Sequence, residues 1–417
     1  MKSVRLIYFI ITGLFFYTTN ACTTAVISGK YTSDGRPMLW KNRDTWAINN
    51  VLRYFDDGKY PYVGLVNSKD LEGKSVWIGV NSEGFAIMNS ASYNLNLDNN
   101  AKLTGLEGRI IKKALATCKT IEDFEKLLDN LKRPTGLEAN FGVIDAQGGA
   151  AYYEINNYKY VKFDANDPKV APFGYIIRTN YSHTGKFGME SSGYIRYNTA
   201  NELFYSQIST YKGLSAQYIQ QNVAKGLYHS LTKEDLFLEY GDRPAGFPKY
   251  VHFRDYIPRS GSSSSVVVEG VKKGENPALA TMWSNVGFPL SSIMVPVWVG
   301  QINLPYVVTY NQNFKDSPVC YAALLLKKYK IMNLRWGKVD HQYIDINALF
   351  NKDGSGIAQL TKKYENIIYK KTYDLLKKWR ANNKPDTKEI KKFYHWIDDF
   401  IIKAYKKEFD IDLQSVN

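Results

Sequence analysis

Residues Leu6–Tyr17 form an apolar run between a short basic start, Lys2 and Arg5, and the small polar residues Thr18-Thr19-Asn20-Ala21. Such a run is too short to span a bilayer comfortably and has the length of an export leader's apolar core. Ala21 stands where leader peptidases favour a small residue. Residues 1–21 are therefore expected to be removed as a signal peptide, and the fold to open at Cys22 on the sequence CTTAVIS. The product is expected in the periplasm or outside the cell, with a lipid-anchored form as the alternative. No later stretch is apolar enough for a transmembrane helix, so no integral membrane span is expected.

The order of elements after Cys22 points to one fold class. CTTAVIS and RPMLWKNRD (Arg36–Asp44) flank the turn signal Ser33-Asp34-Gly35, which predicts an opening hairpin. Strand-like segments follow at Tyr62–Asn67, Ser75–Asn81 and Gly84–Asn89, with Asn81-Ser82-Glu83-Gly84 as a tight connection. Leu106–Cys118 and Thr120–Leu131 have helical spacing, and Thr120 with acidic residues behind it suits a helix start. Asn140–Asp145 and Ala150–Ile155 flank Gln147-Gly148-Gly149, and Tyr175–Asn180 runs into Tyr181-Ser182-His183. A helix is predicted over Ser191–Ile208, a loop over Ser260–Ser265 leading into Val266-Val267-Val268, and strands over Ala278–Trp283 and Ile293–Val299.

After about Ser317 the pattern becomes helical. Leu360, Tyr364, Ile367, Ile368, Leu375 and Trp379 share one face, and Ile390, Phe393, Ile397, Phe400, Ile401 and Ala404 share another. Asp386 with Glu389 three residues later opens the second helix. A helical hairpin packed on the body is expected, against a membrane-lying amphipathic helix as the sharper alternative. Strands, helices, strands, then helices, with no repeat and no Gly-rich phosphate loop, suit an α+β fold of two antiparallel sheets covered by helices. The body is expected to span residues 22–317, and a mainly helical extension residues 318–417.

Net charge is +14, falling to +12 without Lys2 and Arg5, but lysines and arginines are spread along the chain with acids interleaved. That distribution describes a solvated surface with a weak pull on anions and not a nucleic-acid site. The cysteines, Cys22, Cys118 and Cys320, are too few and odd in number for a disulfide scaffold. Cys118 and Cys320 lie in apolar runs and read as buried small hydrophobes. Cys22 differs because the leader cut would place it first. A thiol and an α-amine have reference pKa values near ~8.5 and ~8, so the amine of an N-terminal cysteine can serve as base for its own thiol. No histidine is then needed, and none of the five sits in a papain-type signature. A nucleophile of this kind suits acyl transfer from amides through a thioester, with no cofactor and no metal.

These residues resemble the opening of N-terminal-nucleophile hydrolases. The nearest groups are the acyl-coenzyme A:6-aminopenicillanic acid acyltransferases and the choloylglycine hydrolases with penicillin V acylases. The resemblance implies a four-layer αββα sandwich with Cys22 as nucleophile and Asp44 as the aspartate that binds its α-amine. Asn81-Ser82-Glu83-Gly84 followed by Ile87-Met88-Asn89 resembles the family turn whose asparagine N–H lines the oxyanion hole, so Asn89 takes that role. Thr179-Asn180-Tyr181-Ser182 resembles the motif whose asparagine side chain completes the hole, and Tyr194-Ile195-Arg196 resembles the serine-arginine helix that supports the site. Asn140-Phe141-Gly142-Val143, Asp145–Gly149, Thr281-Met282-Trp283 and Pro296-Val297-Trp298 resemble the acyltransferase group more than the bile-salt group. Two positions depart from the bile-salt pattern: Lys41 stands where those enzymes carry arginine, and Arg43 precedes Asp44. Both leave open a charge at the cavity mouth or an ion pair with Asp44.

The expected activity is hydrolysis of a linear amide joining an apolar acyl group to a small polar amine, with acyl transfer where another nucleophile outcompetes water. N-acyl amino acids and penicillin V are such small-molecule substrates. The alternatives are a lipoprotein anchored through Cys22 without catalysis and a dipeptidase with the same N-terminal cysteine. Thr19 in place of a leucine, and a strand directly after Cys22, speak against the lipoprotein. Association into homo-oligomers is left open.

Overall fold

The computed structural model describes residues 21–96, 105–186, 188, 193–211, 213–335 and 341–414. Residues 1–20 of the expected leader (residues 1–21) lie outside the described residues, as do Ser191 and Ser192 of the predicted helix start.

The body begins with β1 (Cys22–Ile27), β2 (Met38–Asp44), β3 (Asn50–Phe55), β4 (Tyr62–Asn67), β5 (Ile78–Asn81) and β6 (Ala86–Ala91). Helices α1 (Glu107–Thr117) and α2 (Ile121–Asp129) follow, then β7 (Ala139–Ile144), β8 (Ala150–Ile155), β9 (Tyr160–Asp164), β10 (Tyr175–Arg178) and α3 (Tyr194–Tyr211). One antiparallel sheet runs β10-β1-β2 and continues through the strands Ser262–Glu269, Thr281–Val286 and Val295–Val297. The other runs β3 to β9 in chain order, which hairpin connections make the shortest solution.

The sheets pack face to face and are covered on their outer faces. One apolar cluster runs between them (Val26, Met88), beneath α3 (Trp40, Phe204) and beneath the C-terminal helices (Trp283); the outer side of the seven-stranded sheet meets α1 and α2 around Phe124 and Phe141. β1 and β2 read as continuously buried strands because both their faces are covered. At Gly142 the packed sheets leave no room for a side chain: a Cβ would lie 2.8 Å from Val26 Cγ2 of the facing sheet and 2.7 Å from Met88 Cε. This is the expected α+β arrangement of two antiparallel sheets with helical cover.

The helical C-terminus docks on the six-stranded sheet. Helix Ile357–Ala381 lays Tyr369 against Trp283 (ring centroids 4.9 Å apart), and helix Thr387–Phe409 brings Phe393 and Tyr394 to Trp298. Asp386 caps that second helix, accepting from the amides of Lys388 and Glu389. Protein thus occupies the apolar stripes that the membrane-lying alternative would have left for lipid. The buried stripe of the first helix is Ile368, Tyr369, Thr372, Leu376 and Trp379, so Ile367, expected on it, is 49% exposed. No helix among the described residues is long and apolar enough to cross a membrane.

Three local expectations are corrected. Ser262–Ser265, expected as loop, belong to the strand Ser262–Glu269 between β2 and Thr281–Val286. Ser263 Oγ donates to Arg43 O (3.2 Å) and Ser265 Oγ accepts from Trp40 Nε1 (3.2 Å), while Ser264 Oγ is buried without a partner among the described residues. The strand expected at Ala278–Trp283 begins at Thr281, because Pro277 and the Asn276 side chain, accepting from Ala278 N–H at 3.0 Å, nucleate a 3-10 turn first. β3 and β9 were not anticipated; β9 is only half-buried, so its sequence YVKFD carries little alternation.

Candidate active site

Cys22, the first residue of β1, pairs with Arg43 near the end of β2, so the opening hairpin brings nucleophile and aspartate edge together. Its thiol opens on a cavity of about 530 Å³ at the rim between the sheets. Cys118 and Cys320 are buried elsewhere, as small core residues.

With Ala21 attached, Cys22 N–H donates to Asn180 Oδ1 at 2.9 Å. Arg196, in the first turn of α3, clamps the same group: Nη2 donates to Asn180 Oδ1 (2.9 Å), and Nη1 to Cys22 O (2.6 Å) and Thr23 Oγ1 (2.9 Å). Burial pulls the Arg196 guanidinium down to about 10, with Arg259 pushing the same way and Asp44 opposing. Arg196 needs Gly193 ahead of it. Gly193 has φ +116°, and a Cβ there would stand 2.5 Å from Arg196 Nη2.

Asn180 sits on a loop braced from several sides. Ser182 Oγ donates to Asn140 Oδ1 (2.6 Å), Asn140 Nδ2 to Tyr181 O (3.2 Å), and Ser182 N–H to Asn94 Oδ1 (2.8 Å). Glu154 accepts from Arg178 (2.7 Å) and from the amides of His183 and Thr184. Burial alone would raise the Glu154 carboxyl, but Arg178 and these donors hold it below its usual range. The Asn140 segment, noted in the sequence for its resemblance, thus acts as a buttress.

Asp44 does not contact Cys22 N in this arrangement. Its Oδ1 accepts from Ser262 Oγ at 2.6 Å and its Oδ2 pairs with Arg259 Nε at 2.9 Å. Burial raises the Asp44 carboxyl, and Arg259 and Arg196 counter it. Behind it, burial brings Lys327 down to about 8, with Asp44 opposing. The pairing of Asp44 with Arg43 left open in the sequence is absent: Arg43 donates through Nη1 to Asn50 Oδ1 and through Nη2 to Asn67 Oδ1 (2.9 Å).

Asn89 reaches the cavity from β6, and its Oδ1 accepts from Lys41 Nζ at 2.8 Å. The turn before β6 is built as the sequence suggested. Asn81 Oδ1 accepts from the amides of Glu83 and Phe85, its Nδ2 donates to Leu115 O and Cys118 O, and Gly84 takes φ +75°. The amide of Asn180 expected to face an oxyanion donates instead to Ala91 O (3.0 Å).

All five sequence-selected residues, Cys22, Asp44, Asn89, Asn180 and Arg196, therefore converge within one neighbourhood. Sequence reasoning missed Ser262, Arg259 and Trp77; only a polar run after a basic residue marked the first two. The cavity lining is mixed, with charged groups beside the apolar Trp77, Ala91 and Leu137. Lys41 and Arg43 form one part of it and Glu107 and Glu138 another, and burial, with Glu138 adding to it, raises the Glu107 carboxyl. Among the described residues no group of three or more His, Cys, Asp or Glu side chains could hold a metal ion.

The family model for acyl-coenzyme A:6-aminopenicillanic acid acyl-transferase matches residues 32–231. Among solved structures, the chain is similar to the conjugated bile acid hydrolase of Clostridium perfringens, in a mutant form, at 12% identity and TM-score 0.39, over 67% of this chain and 93% of that one. Penicillin V acylase from Agrobacterium tumefaciens aligns at 13% identity and TM-score 0.37, over 67% and 87%. A Caenorhabditis elegans ortholog of N-acylethanolamine-hydrolyzing acid amidase aligns at 14% and 0.36, over 44% and 79%. A comparison with curated protein sequences finds no match. The fold rests on the strand order and not on these overlaps. The family match over residues 32–231, just under half of the chain, and the fold of two antiparallel sheets agree with the resemblance read from the sequence.

Proposed function

We propose that the chain is an exported amide hydrolase whose nucleophile is Cys22, freed as the N-terminal residue when the preceding segment is removed. The observation that carries this reading is the position of Cys22. Its thiol lines the charged cavity, and its nitrogen lies 2.9 Å from Asn180 Oδ1, which Arg196 also holds. The freed amine takes the thiol proton, and the thiolate attacks the substrate carbonyl. In the processed protein the Asn89 backbone N–H and the Asn180 amide, turned from Ala91 O, are assigned to the oxyanion, and Asp44 to the freed amine, which it does not contact while Ala21 is attached. The amine product then leaves, and water cleaves the thioester; a competing amine or thiol makes the same site an acyltransferase.

The charged lining is the observation that favours the dipeptidase alternative as a second reading, because fatty acyl chains gain nothing from carboxylates and ammonium groups. The lipoprotein reading fares worse. Cys22 is 7% exposed and faces a cavity that carries Lys41, Arg43, Glu107 and Glu138, so a diacylglyceryl chain there would be buried against charged groups. The test is intact-mass analysis of the exported protein together with a variant that keeps one residue before Cys22. A mature start at Cys22 without lipid, and an inactive extended variant, are expected. Wild-type turnover by the extended variant would remove the α-amine as base.

A further inference from the structure

We propose that Lys41 and Arg43 form the seat for a carboxylate on the amine half of the substrate. This rests on the amide-hydrolase reading and narrows it to N-acylated amino acids and short peptides with a free C-terminal carboxylate.

The argument starts from strand geometry. Lys41 and Arg43 are two residues apart on β2, so they share the face turned towards the seven-stranded sheet. Lys41 is 2% and Arg43 4% exposed, yet among the described residues neither lies within ion-pair distance of a carboxylate. Their partners are neutral. Lys41 Nζ donates to Trp77 O (3.0 Å) and Asn89 Oδ1 (2.8 Å), and Arg43 donates to Asn50 and Asn67. An ammonium has three N–H donors and a guanidinium five, so these bonds leave one on Lys41 and three on Arg43.

Two buried cations with no anion in contact are costly: Glu107 and Asp44 act on them only from beyond ion-pair distance, and neutral oxygens repay little of that cost. The Cys22 thiolate can answer one positive charge. Maturation adds another positive charge, the α-amine, to which Asp44 is assigned, so a cation of the Lys41–Arg43 pair remains for an anion brought by the substrate. Arg43 is the cross-strand partner of Cys22, which puts that anion beside the scissile bond, where the α-carboxylate of an acylated amino acid lies. Trp77 completes the wall: its ring lies 4.7 Å from the Arg43 guanidinium carbon, and its buried Nε1 has no hydrogen-bond partner. Glu107 and Glu138 line the same cavity and repel a carboxylate, so only one part of it accepts the anion.

The test compares kcat/KM of processed protein on matched pairs differing only in the carboxylate. One arm sets an N-acyl amino acid against the N-acyl amine lacking the carboxylate; the other sets a dipeptide against its C-terminal amide. About a 10- to 100-fold preference for the carboxylate member is expected in at least one arm, the size of a hydrogen bond to a charged group. The responding arm tells an acylase from a dipeptidase. Arg43→Gln should bring that ratio to within about threefold of unity, and Arg43→Lys should restore part of it. Turnover of both members at equal rates overturns the seat while leaving the amide hydrolase standing. A second measurement does not depend on amide turnover: the rate of Cys22 alkylation by iodoacetate relative to iodoacetamide. Arg43→Gln should lower that ratio about tenfold, and an unchanged ratio overturns the seat.

Discussion

Two buried lysines in this protein meet burial in opposite ways. Lys225, beneath the helical C-terminus, sits 2.6 Å from Glu365, whose Oε1 also accepts from Asn285 Nδ2 (2.8 Å) and Met294 N–H (3.0 Å). Lys41, beside Cys22, has only neutral oxygens. Burial lowers both ammonium groups; at Lys225 Glu365 pulls against it, while Lys41 falls to about 8, with Cys22 and, more weakly, Glu107 opposing and Arg43 adding to the fall. The first lysine closes its own charge and ties the turn after Val223 to the helix Ile357–Ala381. The second leaves a charge open in a cavity, which is what a binding site needs and a core does not.

The sharpest break of this comparison is at the nucleophile. Cys22→Ala should lower kcat by at least ~10³-fold, since the covalent route is lost, and leave the melting temperature nearly unchanged. Cys118→Ala and Cys320→Ala should retain turnover. A Cys22→Ala protein that hydrolyses substrate at a tenth of the wild-type rate would move the nucleophile elsewhere.

Next come the lysines themselves. Lys225→Met removes one partner of a buried pair and strands Glu365, so denaturant unfolding should show a loss of about 3–5 kcal/mol. Lys41→Met strands no carboxylate, so stability should hold or rise while kcat/KM falls about 10- to 100-fold. If the two variants lose equal stability, Lys41 is structural.

The pH dependence separates them further. Lys41 has a folded value near 8 against an ordinary 10.5, so between those values the unfolded chain binds more protons. From this group, stability therefore rises with pH across that window, while the charge that would hold a carboxylate is lost above about 8. Preference for carboxylate-bearing substrates should accordingly fall as pH passes 8, and Lys41→Met should remove that fall. A preference flat from pH 7 to 9 would take Lys41 out of recognition.

The difference between the two lysines also marks what the sequence could convey. Cys22 and Asp44 lie on one hairpin, and its turn signal and two apolar strands are local, so their meeting was legible. The Asn81–Gly84 turn, the helix start at Thr120 and the cap at Asp386 were legible for the same reason: each is fixed within a few residues. Pairing between distant strands has no such signal. Ser262 lands on Asp44 across a sequence separation of 218 and looked like part of a loop. The charged side of the cavity was equally hidden, because Glu107 and Glu138 reach it from a helix start and a strand edge far from Cys22.

The smallest effect expected is at Ser262, and it tests whether the aspartate edge is tuned as the lysine edge is. Ser262 Oγ accepts from Arg259 N–H (2.9 Å) and donates to Asp44 Oδ1 (2.6 Å), so one hydroxyl fixes both the arginine turn and the carboxylate. Burial already pushes the Asp44 carboxyl up, and the Ser262 hydroxyl is among the groups holding it back. Removing a donor that favours the charged form moves a carboxyl further up. Ser262→Ala should therefore cost about 1 kcal/mol of stability, lower kcat less than tenfold, and shift the acid limb of the kcat/KM profile to higher pH. Arg259 still pairs with Asp44 at 2.9 Å in this variant, which is why the loss stays small. An acid limb that moves to lower pH, or not at all while kcat falls, would mean that Asp44 acts through the position of its chain and not through its charge.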